Sequence, residues 1–207
     1  DRGKVKPFFK EDDGGDIVET SFLIQGLLTA RQYFNMINPN EKLLRDSINK
    51  LWKEVEWSWY TNKKNVLIWH WSPNYEWTIN HEIRGYNEAL ITYILAISST
   101  TFPINKSVYH NGWASGSSFI NGNTYYQNWK LSLGQDFGGP LFFAHYSFLG
   151  LDPNGLIDSY ANYWIQNVNH TLINREYCIK NPKKFKGYNS KNWGLTASDN
   201  HKGYAAH

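Results

Sequence analysis

The chain has 207 residues, a net charge of +3, 17% aromatic residues with ten Trp, and a single Cys. This is long enough for one domain with a real core. The small positive charge, with no Lys/Arg run longer than Lys183-Lys184 and Lys186, argues against nucleic acid as a partner, and no apolar run of ~18 residues exists to span a membrane. Cys178 alone permits neither an internal disulfide nor a multi-Cys metal site, and it reads as a buried thiol.

In chain order, Asp12-Asp13-Gly14-Gly15 is a loop before a helix expected over 16 to about 37. Asp16 and Glu19 give it a D-x-x-E start signal. Its interior, Phe22-Leu23-Ile24-Gln25-Gly26-Leu27-Leu28, is apolar nearly all round and suggests burial on more than one side. Asn38-Pro39-Asn40 ends it. A second helix, about 41 to 57, places Leu44, Ile48, Leu51, Trp52 and Val55 on one face. Asn62-Lys63-Lys64-Asn65 turns the chain into a strand-like run, Val66 to Trp71, halted by Ser72-Pro73-Asn74. A third helix is expected from about 79 to 98, with Glu88 at the head of its apolar half.

Residues 100 to 138 mix Gly, Asn, Ser and aromatics with little helical period. Ser118 to Tyr126 reads as a β-hairpin turning at Asn121-Gly122. A long excursion of this kind from a helical scaffold is usually functional or disordered, and its aromatics argue for order. A fourth helix follows Gly138-Gly139-Pro140 and ends near Leu149-Gly150, a fifth covers about 158 to 178, and the tail from 181 is loop-like. The pattern is mainly α.

Two sets of carboxyls bear chemistry. Asp16 and Glu19 share a helix face, and the helix N-terminus favours their ionised forms, which suits a general base. A simple capping box explains the same spacing. Glu88 enters an apolar run, which is costly unless it is paired. Either Arg84 at i−4 pairs with it, or its pKa is held high for proton donation. One protonated and one ionised carboxyl are the equipment for cleaving a glycosidic bond. Clustered Trp and Tyr suit the flat apolar faces of sugars. Trp69, Trp71 and Trp77 lie within nine residues, and Trp69 and Trp71 share a side if the run is a strand. An aromatic plug between helices accounts for them equally. His70, His110 and His145 match no metal spacing, His81-Glu82 lacks a second His at i+4, and no G-x-S-x-G occurs, so no metal or other cofactor is expected.

Several segments together resemble the bacterial glycoamylase-like domain family, which includes endo-β-1,2-glucanases and relatives of a domain of cyclic β-1,2-glucan synthases. They are Gly15 to Thr20, Trp69 to Pro73, Arg84 to Leu90, Gly138 to Pro153, and Asn192 to Asp199. The resemblance spans essentially the whole chain. It implies part of an (α/α)6 toroid, an inverting glycoside hydrolase acting on a β-1,2-linked glucan, and an oligo- or polysaccharide partner. Carried onto this sequence, Glu88 matches the leading candidate for general acid. Asp12, Asp16 and Glu19 match other acidic residues of the cleft, with Asp16 taken as base. Arg84, Tyr86 and Asn87 would tune Glu88, and Trp69, Trp71, Trp77 and Trp113 would line sugar sites. A full toroid of six helical hairpins needs roughly twice this length. Residues 1–207 are therefore expected to form a single domain that is about half of a larger toroid, with the remainder of that toroid as its partner. No signal peptide is present, yet the abrupt start at Asp1-Arg2-Gly3 fits a processed chain, and a periplasmic or secreted location is expected. A non-catalytic carbohydrate-binding protein, a transglycosylase of the same fold and an α-glucan specificity are the rival readings.

Overall fold

The computed structural model describes residues 10–206. Within the span expected to form one domain, the contacts group into two compact units. One holds residues 10–84 and 89–115, the other Gly85–Glu88 and residues 116–206.

In the first unit, a two-residue strand β1 (Gly15–Asp16) leads directly into helix α1 (Ile17–Tyr33). Asp16 caps α1, its Oδ1 accepting from the amides of Val18 and Glu19 at 2.8 and 2.9 Å. That satisfies two of the amides a helix start leaves without partners. The expected start signal is thus realised, although the helix stops four residues earlier than expected. Burial is confined to one stripe, Ile17, Val18, Ser21, Ile24 and Gln25, whereas Leu23 is 62% exposed. The all-round apolar character of the sequence does not translate into burial on more than one side. Helix α2 (Pro39–Glu54) begins at Asn38, with Pro39 in the first turn, where its missing N–H costs nothing. Of its expected face only Ile48 is buried, and Leu44 and Leu51 remain exposed. A 3₁₀ turn over Trp57–Thr61 closes at Asn62, which is left-handed at φ 45°.

The expected strand from Val66 shrinks to β2 (His70–Trp71), antiparallel to β1 in the register Gly15↔Trp71 and Asp16↔His70. Val66, Leu67 and Ile68 are fully buried. Helix α3 (Leu90–Ser98) supplies the rest of the core with Leu90, Ile91, Tyr93, Leu95 and Ala96. Its Tyr93 hydroxyl donates to the Ile83 carbonyl at 2.8 Å and accepts from the Leu67 amide at 3.1 Å. Ser21 and Thr92 share a buried hydroxyl contact of 2.8 Å between α1 and α3. Helix α3 is half the expected length. The chain passes Asn80 at φ 43° and Gly85 at φ 79°, which no α-helix accommodates. Glu88 consequently precedes the helix instead of riding on it. A three-residue helix α4 (Lys106–Val108) runs into a π-turn over Tyr109–Trp113.

In the second unit, strands β3 (Thr124–Tyr125) and β4 (Trp129–Lys130) form the hairpin. The turn falls at Tyr126 and Gln127, both left-handed at φ 53° and 63°, and not at Asn121-Gly122. Gly122 instead sits in the first arm, its amide bonded to the Leu131 carbonyl at 3.0 Å. Helix α5 (Tyr163–Lys180) backs this hairpin. Its buried Gln166 accepts from the amides of Ser132 and Leu133 and donates to the Leu133 carbonyl at 2.9 Å, while Ile173 packs with Tyr125 and Leu131. The expected fourth helix resolves into two 3₁₀ turns, Leu141–Ala144 and Tyr146–Leu149, broken at His145. The tail is not all loop, for strands β5 (Ala197–Asn200) and β6 (Gly203–Ala206) pair antiparallel. Cys178 is buried. Among the described residues no helix is long and apolar enough to cross a membrane.

Candidate functional site

The β1–β2 pairing sets residues 12–16 against residues 69–72. A pocket of about 260 Å³ opens there, lined by Asp12, Asp16, Trp69, His70, Ile79 and His81. Asp16 is its most constrained group. With Oδ1 held by the two helix amides, Oδ2 accepts from the Trp69 indole N–H at 2.8 Å. Burial raises the pKa of Asp16, and the helix amides and the Trp69 N–H hold the rise in check. The result is a carboxylate fixed in orientation and more basic than a solvated one. Tyr60 shares this neighbourhood. Burial, and secondarily the charge of Asp16, push its phenol up to about 12.

The remaining acidic residues take separate places. Asp12 Oδ1 lies 3.1 Å from Nε2 of the buried His70, a close contact without the alignment of a good hydrogen bond. Asp13 is a loop anchor. It accepts from the Ser72 hydroxyl and from Asn74 Nδ2, and these two bonds, Ser72 first, lower its pKa. Glu19 gives its amide to the Asp16 cap and is itself exposed, so only half of the capping box forms. Partial burial first, and the charge of Asp16 second, raise its pKa. Gly14 makes the close approach possible, since a Cβ there would sit 2.0 Å from the Trp71 carbonyl oxygen.

Trp69 meets His81 edge-on at 5.4 Å. Trp71 and Trp77 belong to a neighbouring cluster, in which Trp59 meets Trp71 at 6.3 Å and Trp77 at 5.9 Å, and Tyr60 meets Trp77 at 5.8 Å. Trp59 is 51% exposed, so this cluster presents an open aromatic edge. Trp113 differs from the expectation. It has no accessible surface and packs against Tyr93 at 6.1 Å, so its ring offers no stacking face. Arg84 is engaged by Glu82 at 2.7 Å, by the Asn111 carbonyl and by the Ser115 hydroxyl. It lies ahead of α3 and not on a helix.

Glu88 is half-buried in the second unit, where its carbonyl accepts from the buried Ser147 hydroxyl at 2.5 Å. Tyr86, two residues earlier, is buried and donates to Asn167 Oδ1 at 3.2 Å, and burial raises its pKa. Gly134 lies against the Tyr86 ring. Asn87 is half-buried. The structure thus collects Asp12, Asp16 and Trp69 in one pocket, and Tyr86, Asn87 and Glu88 in one backbone segment.

Sequence reasoning missed Tyr60, Ile79 and the place of His70 and His81 beside the carboxyls. Only the β1–β2 register brings these residues in, and nothing local signals it. Among the described residues no group of three His, Cys, Asp or Glu side chains is placed to hold a metal ion.

Residues 80–207 match the family described as "Glycoamylase: Putative glucoamylase". An exo β-1,2-glucooligosaccharide sophorohydrolase (non-reducing end) of Parabacteroides distasonis is 50% identical over 95% of this chain, which covers 30% of that protein. An endo-β-1,2-glucanase from Chitinophaga pinensis, solved with sophorotriose and glucose, is 59% identical with a TM-score of 0.92. A putative glucoamylase from Bacteroides uniformis is 56% identical with a TM-score of 0.94. This chain covers 50% of each of those two solved chains and is itself 99% covered. It spans about half their length, and its mainly helical fold is part of the toroid of these enzymes. With the match extending over most of its residues, the chain belongs to the Glycoamylase family.

Proposed function

We propose that the protein is a glycoside hydrolase that cleaves a β-1,2-linked glucan. The single observation that carries this reading is the environment of Asp16. It is a carboxylate made more basic by burial, fixed by helix amides and an indole N–H, and set in a pocket with Asp12, Trp69 and two His. Two relatives whose names state β-1,2-glucan chemistry share 50% and 59% of its residues and support the substrate class.

In this reading Glu88 is the general acid and Asp16 the general base. A carboxylate offers about four acceptor positions, and Asp16 uses three, two on Oδ1 and one on Oδ2. The remaining position on Oδ2 takes the proton of the attacking water. The water oxygen bonds to the anomeric carbon as the glycosidic C–O bond breaks, and Glu88 protonates the departing oxygen. The anomeric configuration inverts. Asp12 and Glu19 add acceptors for water or sugar hydroxyls. Trp69, Trp71 and Trp77 stack on sugar faces, and Tyr86, Asn87 and Arg84 brace the acid. The rest of the toroid completes the enzyme, and a periplasmic or secreted location belongs to the same reading.

The test is incubation of the intact protein, and of its Glu88→Gln and Asp16→Asn variants, with linear β-1,2-, β-1,3-, β-1,4- and α-1,4-glucans. Reducing ends should appear from the β-1,2-glucan with inverted anomeric configuration. Each variant should lose roughly 10²–10⁴-fold in turnover while still binding glucan. Near-normal turnover in folded Glu88→Gln protein would overturn the assignment.

A further inference from the structure

We infer that Ser147 is a positioning residue for Glu88: its hydroxyl fixes the backbone from which the Glu88 carboxyl projects, and so sets the aim of proton donation. This rests on the reading of Glu88 as general acid.

The structure places no helix under Glu88. It lies just before α3, whose first turn closes with the Thr92 amide on the Ala89 carbonyl, one residue beyond Glu88. A residue outside a helix lacks the i→i−4 ladder that would hold its φ and ψ. Ser147, 59 residues away and with no accessible surface, supplies a bond at that point: its Oγ donates to the Glu88 carbonyl at 2.5 Å. Buried hydroxyls of this kind are held in one rotamer and are costly to leave without partners.

The donor is anchored in turn. Ser147 sits in the 3₁₀ turn Tyr146–Leu149, downstream of Gly138-Gly139-Pro140. That Gly pair is pressed onto helix α5. The His170 ring occupies the space a Gly138 Cβ would need, and His170 Nε2 contacts the Gly139 carbonyl at 3.0 Å. One turn earlier on α5, Asn167 takes the hydroxyl of Tyr86. One helix therefore braces Tyr86 directly and the Gly-Gly loop ahead of Ser147. A catalytic group misplaced by ~1 Å can cost on the order of 100-fold in rate.

The experiment compares Ser147→Ala with the wild-type intact protein on two substrates. One is linear β-1,2-glucan, whose sugar leaving group needs protonation. The other is a nitrophenyl β-1,2-glucooligosaccharide, whose phenol leaves with little help and is followed by nitrophenol release. Misaimed proton donation should lower kcat on the glucan roughly 10- to 100-fold, with KM within about 3-fold, and lower nitrophenol release by less than about 3-fold. Equal losses on both substrates, or none on either, overturn the inference. If Ser147→Ala does not fold, Ser147→Cys keeps the volume with a weaker donor and is read identically. Glu88→Gln run in parallel separates the two claims. Its inactivity with an unaffected Ser147→Ala refutes Ser147 alone, whereas its full activity refutes the acid assignment as well.

Discussion

The indole N–H of Trp69 donates to Oδ2 of Asp16 at 2.8 Å, across 53 residues of sequence. The bond explains why an aromatic strand and an acidic helix start belong together. Trp69 also receives the Ile17 amide on its carbonyl at 3.0 Å, so main chain and side chain both tie it to the start of α1. Trp69→Phe keeps a smaller aromatic ring and removes the indole N–H donor. A hydrogen bond to a charged group stabilises the charged form, so its loss moves the already raised pKa of Asp16 further up. The acid limb of the kcat/KM–pH profile should shift to higher pH, and kcat should fall about 10-fold. A raised carboxyl pKa contributes stability below the unfolded value and loses it as pH rises through the folded value. The variant should therefore show this loss at higher pH than wild type. An unshifted limb with unchanged kcat would separate Trp69 from the chemistry.

Gly14 and Gly26 offer a matched pair of substitutions with opposite signs. A Cβ at Gly14 would lie 2.0 Å from the Trp71 carbonyl oxygen and 2.6 Å from Ser72 Cα, both of them backbone atoms that move only with the strand. Gly14→Ala should cost about 1–3 kcal/mol, and it should reduce activity by displacing Asp16 from Trp69. Gly26 is inside α1, and a Cβ there would meet nothing within 4 Å beyond its chain neighbours and the helix's own backbone. Gly26→Ala should stabilise by about 0.5–1 kcal/mol, because Ala loses less backbone entropy in a helix. Thermal unfolding of both variants checks the signs, and equal shifts would show that the close approach at Gly14 is tolerated.

The start of α1 is legible because its cap is local: Asp16 lies where the helix begins. Asn38 and Pro39, expected to end the first helix, instead cap and open the second. The toroid membership was carried by long motifs rather than by periodicity. The sequence puts Glu88 on a helix only if the apolar run from Ala89 extends backwards through Gly85, and it does not. The glycine was the signal, for its φ of 79° ends any such extension. The hairpin shows a different failure. Asn-Gly is a strong local turn signal, but register follows burial. Tyr125, Leu131 and Leu133 are all buried, and satisfying them together moves the turn to Tyr126-Gln127. The acidic pocket needed the pairing of residues 15–16 with 70–71, a contact that no local pattern encodes.

That displaced turn makes a prediction of its own. Gln127 is exposed and left-handed at φ 63°, a conformation that costs a non-glycine residue roughly 1–2 kcal/mol. Gln127→Gly should stabilise the hairpin by about 0.5–1 kcal/mol once the greater entropy of unfolded glycine is counted. Tyr126, also left-handed, carries the Lys180 ammonium over its ring at 4.3 Å, so its replacement by Gly should not gain. Denaturant midpoints of the two single variants decide this, and a loss in Gln127→Gly would mean the turn does not constrain stability.

His170 ties stability to pH. It is fully buried, and desolvation lowers its pKa from 6.5 to about 4, while its contact with the Gly139 carbonyl works weakly against that shift. Its Nδ1 has no hydrogen-bond partner among the described residues, so protonation would add a charge with nothing to receive it. The folded pKa lies below the unfolded one, so the unfolded chain binds the extra proton more readily between those values. Stability should be intact above pH 6.5 and fall as pH drops toward 4, by at most about 3 kcal/mol from this residue. His170→Gln keeps a donor for the Gly139 carbonyl and cannot titrate. Its unfolding free energy should lie below wild type at pH 7.5, and the gap should close or reverse by pH 4.5. Parallel pH curves for the two proteins would show that His170 is not the group that titrates. If the Gly-Gly loop also governs the aim of Glu88, wild-type kcat should fall over the same acid range while His170→Gln keeps a flatter profile.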